Sequence, residues 1–306
     1  LENGRTKEVV IPSRAWIVSV EMAKEWLMTA DITGRLHGID PVLGRISWSK
    51  TVIDGSLRVT AVNEDEDRIA FVAIDDDFRM VISVFVLRDL TKMVSYSEGI
   101  PEDMAFTTPT CAAWIPHNAI SGWFGDTLVI GTNEGQVYAW AGNGKNLTLV
   151  DLDEEIVGLH WDEYSYKLVV ATRKGHIFMV DVNKQLVASQ FTTDFVPPRS
   201  LVSFDYHTEA RRMAVGGSDG QVEVWDMTNL HRTQTIRYHN FSLADVAWAN
   251  GTHLVSSGRF ASLAVWGPDK DGDMRADEVD AFPTDRSEWT DTDGDGVGDN
   301  GDMFPT

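Results

Sequence analysis

Along the first 267 residues, apolar positions come in short runs broken by Gly, Asp and Asn turns, and helical periodicity is almost absent. One composite unit recurs: an apolar run, a turn, a second apolar run ending in a small residue, a Gly turn, then a third run ending at a large residue. RMAVGGSDGQVEVWD is the clearest copy, closing at Trp225-Asp226. KLVVATRKGHIFMVD closes at Val180-Asp181, DTLVIGTNEGQVYAW at Trp140, HLVSSGRFASLAVW at Trp266 and EWLMTADITGRLHGID at Ile39-Asp40. A more divergent copy, RIAFVAIDDDFRMVISVFVLRD, lies between Ile39 and Trp140. Its segment 80–87 is the longest strongly apolar stretch of the chain. It is far too short to cross a bilayer and is predicted to be a strand buried on both faces.

The closing residues 140, 180, 225 and 266 are spaced by 40, 45 and 41. Upstream of the last three lie further apolar strands, IVGLHW to Trp161, SLVSFDY to Tyr206 and LADVAW to Trp248. This period suits the four-stranded blades of a β-propeller. A single blade cannot bury both of its faces, so neighbouring blades must stack around a channel. The predicted fold is therefore all-β, a propeller of about six four-stranded blades over residues 1–267. The sixth blade lacks an outer strand, because the chain runs from Trp266 into Gly267-Pro268. Either residues 7–12 supply that strand and latch the ring, or the chain is cut from a larger ring. Both ends read as truncated: the chain begins at Leu1 without Met, and it stops where another acidic loop would begin.

The blade around Trp225-Asp226, with Asp219 in its turn, resembles the WD-repeat family, and Tyr238-His239 resembles a degenerate Gly-His before the next blade. The first blade, TADITGRLHGIDPVLGRISW, is similar instead to the repeats of pyrroloquinoline-quinone dehydrogenases and their non-enzymatic relatives, with Gly34, Asp40, Gly44 and Trp48 in place. Both resemblances imply a propeller over nearly all of residues 1–267, and neither specifies a function.

Charge changes the picture beyond residue 267. The chain has a net charge of −21. Residues 269–306 hold eleven Asp and two Glu against one Lys and two Arg, a net of −10. Neither part offers a basic surface, which argues against nucleic acid and anionic membrane as partners. The acids are also ordered. DKDGDMRADEVDAFPT places them at Asp269, Asp271, Asp273, Asp277 and Asp280 before Phe282-Pro283. DTDGDGVGDNGDMFPT repeats the offsets at Asp291, Asp293, Asp295, Asp299 and Asp302 before Phe304-Pro305, twenty-two residues later. Carboxylates this dense repel one another unless a cation sits among them, and oxygen ligands at alternate positions of a tight loop suit calcium. The offsets are those of an EF-hand loop, with the carbonyls of Arg275 and Val297 at the seventh position, but no flanking helices are predicted.

The string DxDxDxxxDxxDxFP resembles the thrombospondin type 3 repeat. That resemblance covers residues 268–306 and implies an irregular chain wrapped around calcium ions in place of an apolar core. Met274 in the first copy replaces Gly296 of the second, which predicts a weaker first site. With few apolar residues, the segment is expected to be flexible without calcium. Extracellular sites of this kind bind at about 10⁻⁴–10⁻³ M, which would leave them empty at cytosolic calcium and points to an extracellular or cell-surface location.

Other patterns read as structure. Gly216, Ser218 and Gly220 fit GxSxG but lie in a predicted hairpin without the strand–turn–helix context of a nucleophile. Gly296, Gly298 and Gly301 fit GxGxxG inside the acidic loop, where no βαβ unit opens. The eight His residues show no ligand spacing, and the acidic clusters 64–67 and 75–77 read as solvated turns. Cys111 is the only cysteine, which excludes an intrachain disulfide. Three sequons, at Asn146, Asn240 and Asn250, suit a secreted protein. The expected function is that of a non-enzymatic secreted or surface scaffold. Its propeller is expected to bind protein or surface polysaccharide, and its tail to be a calcium-ordered spacer. The alternatives are a quinoprotein-like dehydrogenase or other propeller enzyme with a site at the channel mouth, and an intracellular WD-repeat scaffold.

Overall fold

A computed structural model describes residues 15–23, 26–40, 45–63, 67–87, 91–96, 107–116, 119–123, 125–141, 145–249, 251–258, 262–271, 277 and 280–306. Residues 7–12, Gly44, residues 64–66, Asn250, Asp273, Met274 and Arg275, which carry several of the expectations above, lie outside the described residues. The described residues form no helix, and hence none long and apolar enough to cross a membrane. Their strands fall into six successive antiparallel sheets, a six-bladed β-propeller arrangement.

Residues Leu1–Val196 form one compact unit with four blades. Blade one contains β1 (Ile17–Ala23), β2 (Trp26–Asp31), β3 (Arg35–Asp40) and β4 (Arg45–Thr51). Blade two contains β5 (Ser56–Val62), β6 (Arg68–Ile74), β7 (Met80–Val86) and β8 (Thr91–Tyr96). Blade three contains β9 (Pro109–Ile115), β10 (Thr127–Thr132), β11 (Gln136–Ala141) and β12 (Lys145–Asp151). Blade four contains β13 (Ile156–Asp162), β14 (Lys167–Thr172), β15 (His176–Asp181) and β16 (Leu186–Thr192). Each sheet is a meander in which consecutive strands pair.

Residues Pro197–Thr306 form a second compact unit. Its fifth blade contains β17 (Leu201–His207), β18 (Arg212–Gly217), β19 (Gln221–Asp226) and β20 (His231–Arg237). The sixth contains β21 (Leu243–Trp248), β22 (Leu254–Gly258) and β23 (Ser262–Trp266), three strands among the described residues. Beyond Trp266 the described residues form turns and bends only.

The middle strands of a blade are apolar on consecutive residues because both faces are covered. In β6, Ile69, Phe71 and Ala73 pack with Met28 and Leu36 of blade one. The alternate residues Ala70 and Val72 pack with Leu128, Ile130 and Trp140 of blade three. The predicted buried strand at 80–87 is β7, divided in the same way, with Val81 and Phe85 on one side and Met80, Ile82 and Val84 on the other. Blade three meets blade four through Val129, Val137, Leu159 and Trp161. Burying such side chains contributes about 1.5–3 kcal/mol each, which makes these inter-blade seams the main source of cohesion within the unit.

The innermost strands of blades five and six lie side by side, and polar groups fasten them. Ser203 Oγ donates to Asp245 Oδ1 at 2.6 Å and accepts Val246 N–H at 2.9 Å. Asp205 Oδ2 accepts Trp248 N–H at 2.6 Å. Burial raises the Asp205 pKa, and the nearby Asp245 charge adds to it, against hydrogen bonds from Trp248 and Tyr206 that lower it. With the folded pKa above the unfolded one, this group's contribution to stability is full below the unfolded value of about 3.9. It is lost as pH rises through the folded pKa. Urea unfolding midpoints measured across that window should show this loss in the wild type and not in Asp205→Asn.

Cys111, on β9, turns its sulphur against Gly131 and accepts a hydrogen bond from Thr110 Oγ1. Burial pushes its thiol up to about 12. The thiolate is the nucleophile, so the native protein is expected to resist iodoacetamide at mildly alkaline pH and to react once unfolded in urea. Rapid stoichiometric labelling of the folded chain would contradict this raised pKa.

Candidate metal centre

The second acidic loop brings three of its five predicted ligands together. Asp291, Asp293 and Asp295 each present a carboxylate oxygen, and the three atoms lie within 4.8 Å of one another. Local turn chemistry produces this convergence. Asp291 Oδ1 accepts Gly294 N–H at 2.7 Å, and its Oδ2 accepts Gly296 N–H at 3.0 Å. Asp293 Oδ1 accepts Asp295 N–H at 3.2 Å, and Asp295 Oδ1 accepts Val297 N–H at 2.8 Å. The last two are Asx-type bonds to the second residue on, and the Asp291 bonds reach further, so each bends the chain back on a carboxylate. Gly294 and Gly296 sit at φ of 79° and 88°, in the left-handed region that other residues rarely adopt, which is why the loop needs glycine at both places.

Asp299 and Asp302 have other partners. Asp299 Oδ1 accepts Thr292 N–H at 2.8 Å, while its Oδ2 accepts the hydroxyls of Thr292 at 2.6 Å and Thr290 at 2.8 Å. The Thr292 hydroxyl, the Thr292 N–H and the Thr290 hydroxyl, in that order, hold the Asp299 carboxyl below the usual range. Asp302 Oδ1 caps Phe304 N–H at 2.8 Å. Asp299 thus clamps the entry of the loop, and Asp302 fixes its exit.

The first loop repeats these anchors twenty-two residues earlier. Asp277 Oδ1 accepts Lys270 N–H at 2.9 Å, matching Asp299 with Thr292. Asp280 Oδ1 accepts Phe282 N–H at 2.8 Å, matching Asp302 with Phe304. The Asp277 N–H bonds Pro268 C=O at 2.8 Å, and the Asp299 N–H bonds Thr290 C=O at 2.9 Å. Three hydrogen bonds in the same register show that the sequence repeat is also a structural repeat. Asp269 and Asp271 are among the described residues, but Asp273 is not, so the convergence of the first set lies outside what the structure describes. Lys270 Nζ lies 3.4 Å from Asp277 Oδ2, where the second loop has the Thr292 hydroxyl.

Sequence reasoning missed the groups that support these loops. Glu288 Oε2 accepts Asn300 N–H at 3.0 Å, and Asn300 Nδ2 donates to Ser287 C=O at 2.7 Å. A Cβ on Gly298 would stand 2.0 Å from Glu288 Oε2, so the glycine makes room for this brace. The signal was present but weak. Thr292 and Lys270 occupy the same offset with different chemistry, and Glu288 has no counterpart at the first copy's offset, where Trp266 stands.

Among the described residues no other group of three His, Cys, Asp or Glu converges as closely. The donors are all carboxylate oxygens, which fit a hard cation such as calcium and not a thiolate- or imidazole-seeking metal. The other patterns take the places read for them. Ser218 accepts Ser200 N–H at 3.0 Å within the β18–β19 hairpin. Asp75 Oδ1 accepts the N–H groups of Asp77 and Arg79, a turn carboxylate bonded to its own backbone.

No family model matches the chain. A guanine nucleotide-exchange factor, SEC12 of Rattus norvegicus, is 30% identical to it over 88 residues, which is 29% of this chain and 20% of that protein. The similarity therefore spans about one fifth of that relative.

Proposed function

We propose that this chain is a non-enzymatic scaffold, secreted or displayed at the cell surface, whose blades present a binding platform. Residues 268–306 act as a calcium-ordered spacer similar to thrombospondin type 3 repeats, after a propeller body of WD-repeat and quinoprotein-like character in residues 1–267. The observation that carries the reading is the pair of congruent acidic loops, one of which gathers three carboxylate oxygens within 4.8 Å. Asp269, Asp271 and Asp273 would hold the first ion and Asp291, Asp293 and Asp295 the second, with Asp277, Asp280, Asp299 and Asp302 shaping the loops. A bound cation would neutralise the repulsion among these carboxylates and stand in for the apolar core the segment lacks.

The propeller's partner is a protein or surface polysaccharide, in keeping with the rigid, loop-bearing surfaces of such folds. His239, fixed to Ser256 and Ser262, and Trp266 Nε1, donating to Ser256 at 2.8 Å, support the WD-like character of the sixth blade. The exchange activity in the relative's name is not carried over, because the similarity covers so little of it.

Calorimetric titration of the whole chain with calcium, followed by circular dichroism, tests the spacer. Binding at about 10⁻⁴–10⁻³ M with a spectral change is expected, and absence of heat at millimolar calcium would sink the metal reading. Antibody access on intact cells of the source organism tests location independently.

A further inference from the structure

The loop joining β20 to β21 carries one of the three sequons, Asn240-Phe241-Ser242, and it is built differently from its surroundings. Its second residue is buried and fastened. His239 Nε2 lies 2.8 Å from Ser256 Oγ and its Nδ1 lies 2.9 Å from Ser262 Oγ. Tyr238 stands edge-on to this imidazole, with ring centroids 5.1 Å apart, and edge-on to Trp266 at 5.3 Å. Tyr238 is nevertheless 57% exposed and Phe241 58% exposed, and the exposed Asn240 stands between them in sequence. Two large exposed aromatic residues thus lie two positions before and one position after the exposed Asn240, on a loop pinned through His239. Isolated exposed aromatics are ordinary. Here one lies two residues before the sequon and the other is its middle residue, a more specific arrangement.

The other sequons differ. Asn146 lies in β12, is half-buried, and pairs in register with Trp140 of β11, so a bulky substituent there would have to displace neighbours on its face of the sheet. Asn250 lies outside the described residues.

We infer that Asn240 is the acceptor of an N-linked glycan whose first sugar lies against Tyr238 and Phe241. The inference rests on the export proposed above, since the sugar donor, a polyprenyl-diphosphate-linked oligosaccharide, is used where chains leave the cytosol. In the transfer, the Asn240 Nδ2–C1 bond forms and the C1–O bond to the diphosphate breaks. One amide proton departs to the transferase, and nothing is oxidised or reduced. The apolar C–H faces of the sugar cover the aromatic rings, and its hydroxyls remain in water. The attached glycan thereby removes exposed apolar surface without adding a buried polar group.

The test uses the full chain, carried through a eukaryotic secretory pathway behind an appended cleavable signal. The site's competence is then read wherever the native protein resides, and failure of the export reading shows separately, as absence from the surface of native cells. Intact mass should show a glycan that Asn240→Gln loses and Asn146→Gln retains. Enzymatic deglycosylation should lower the Tm of the wild type, and the change should be smaller in glycosylated Tyr238→Ser. Secreted wild type and Asn240→Gln that carry the same glycan mass, or none, would overturn the assignment. An unchanged Tm on deglycosylation would overturn the role given to Tyr238 and Phe241.

Discussion

Replacing Phe71 by alanine is expected to lower the unfolding free energy by about 3–5 kcal/mol, the largest single-residue loss anticipated for this chain. Phe71 is fully buried in the centre of β6, between Met28 and Leu36 of blade one and Leu57 and Ile69 of its own blade. Its ring meets Phe85 edge-on, with centroids 5.7 Å apart and planes at 84°. Truncation removes the transfer free energy of the ring and that aromatic pair, and it leaves a cavity between two rigid sheets that cannot close around it. Urea unfolding should show a lower midpoint at an unchanged slope, the signature of lost stability without a change in compactness. A loss below about 1 kcal/mol would mean that the blade seam repacks, contrary to the density of contacts there.

The second large effect concerns the tail. Changing Asp293 and Asp295 together to asparagine keeps the one backbone acceptor that each of them uses but removes two of the three convergent charges. In calorimetry with the whole chain, the proposed second calcium site is expected to be lost up to millimolar calcium, with the binding proposed for the first loop retained. Asp299→Ala acts differently, because Asp299 orients the loop through Thr290 and Thr292. It is expected to weaken the second site roughly 10–100-fold, the usual cost of losing a group that positions ligands. Asp285→Asn provides a control of like chemistry, since Asp285 bonds Ser287 in the connecting turn and belongs to neither loop. Equal loss in all three variants would point to diffuse electrostatic attraction and would contradict discrete sites.

The pH response of Asp205 bears on how the fifth and sixth blades are held. A carboxylate whose folded pKa is raised is a poor stabiliser at neutral pH, yet its oxygen accepts the Trp248 N–H. Asp205→Asn keeps an acceptor for the Trp248 N–H but gives up the one that the Tyr206 N–H uses, so the variant removes the buried charge together with one local backbone hydrogen bond.

Much of the fold was legible from local signals. The third strands ending at Asp40, Asp181, Asp226 and Trp266 coincide with β3, β15, β19 and β23. Their Gly turns and alternating or continuous apolar runs depend on only a few neighbouring residues. The outer strands were harder to read. β20, HRTQTIR, is almost wholly exposed, with only Ile236 buried, so no apolar alternation marks it. It is a strand because β19 supplies its hydrogen-bond partners, from Gln221 with Arg237 to Asp226 with His231. The acidic loops divide in the same way. The repeat of five acids was plain in the sequence, whereas the division into three converging carboxylates and two clamping ones was not.

The sequence by itself determined the all-β propeller class, the repeating blade unit and the paired acidic loops, because spacing, turn residues and side-chain charge are properties of short segments. Only the tertiary structure decided that Phe71 and Val72, adjacent in β6, serve opposite seams, and that Ser203 and Asp205 join two inner strands. It also decided that Glu288 braces a loop whose ligands begin three residues later. Those outcomes depend on which distant segments the packing brings within hydrogen-bond or van der Waals reach, and a linear pattern of apolar, polar and acidic positions does not encode that directly.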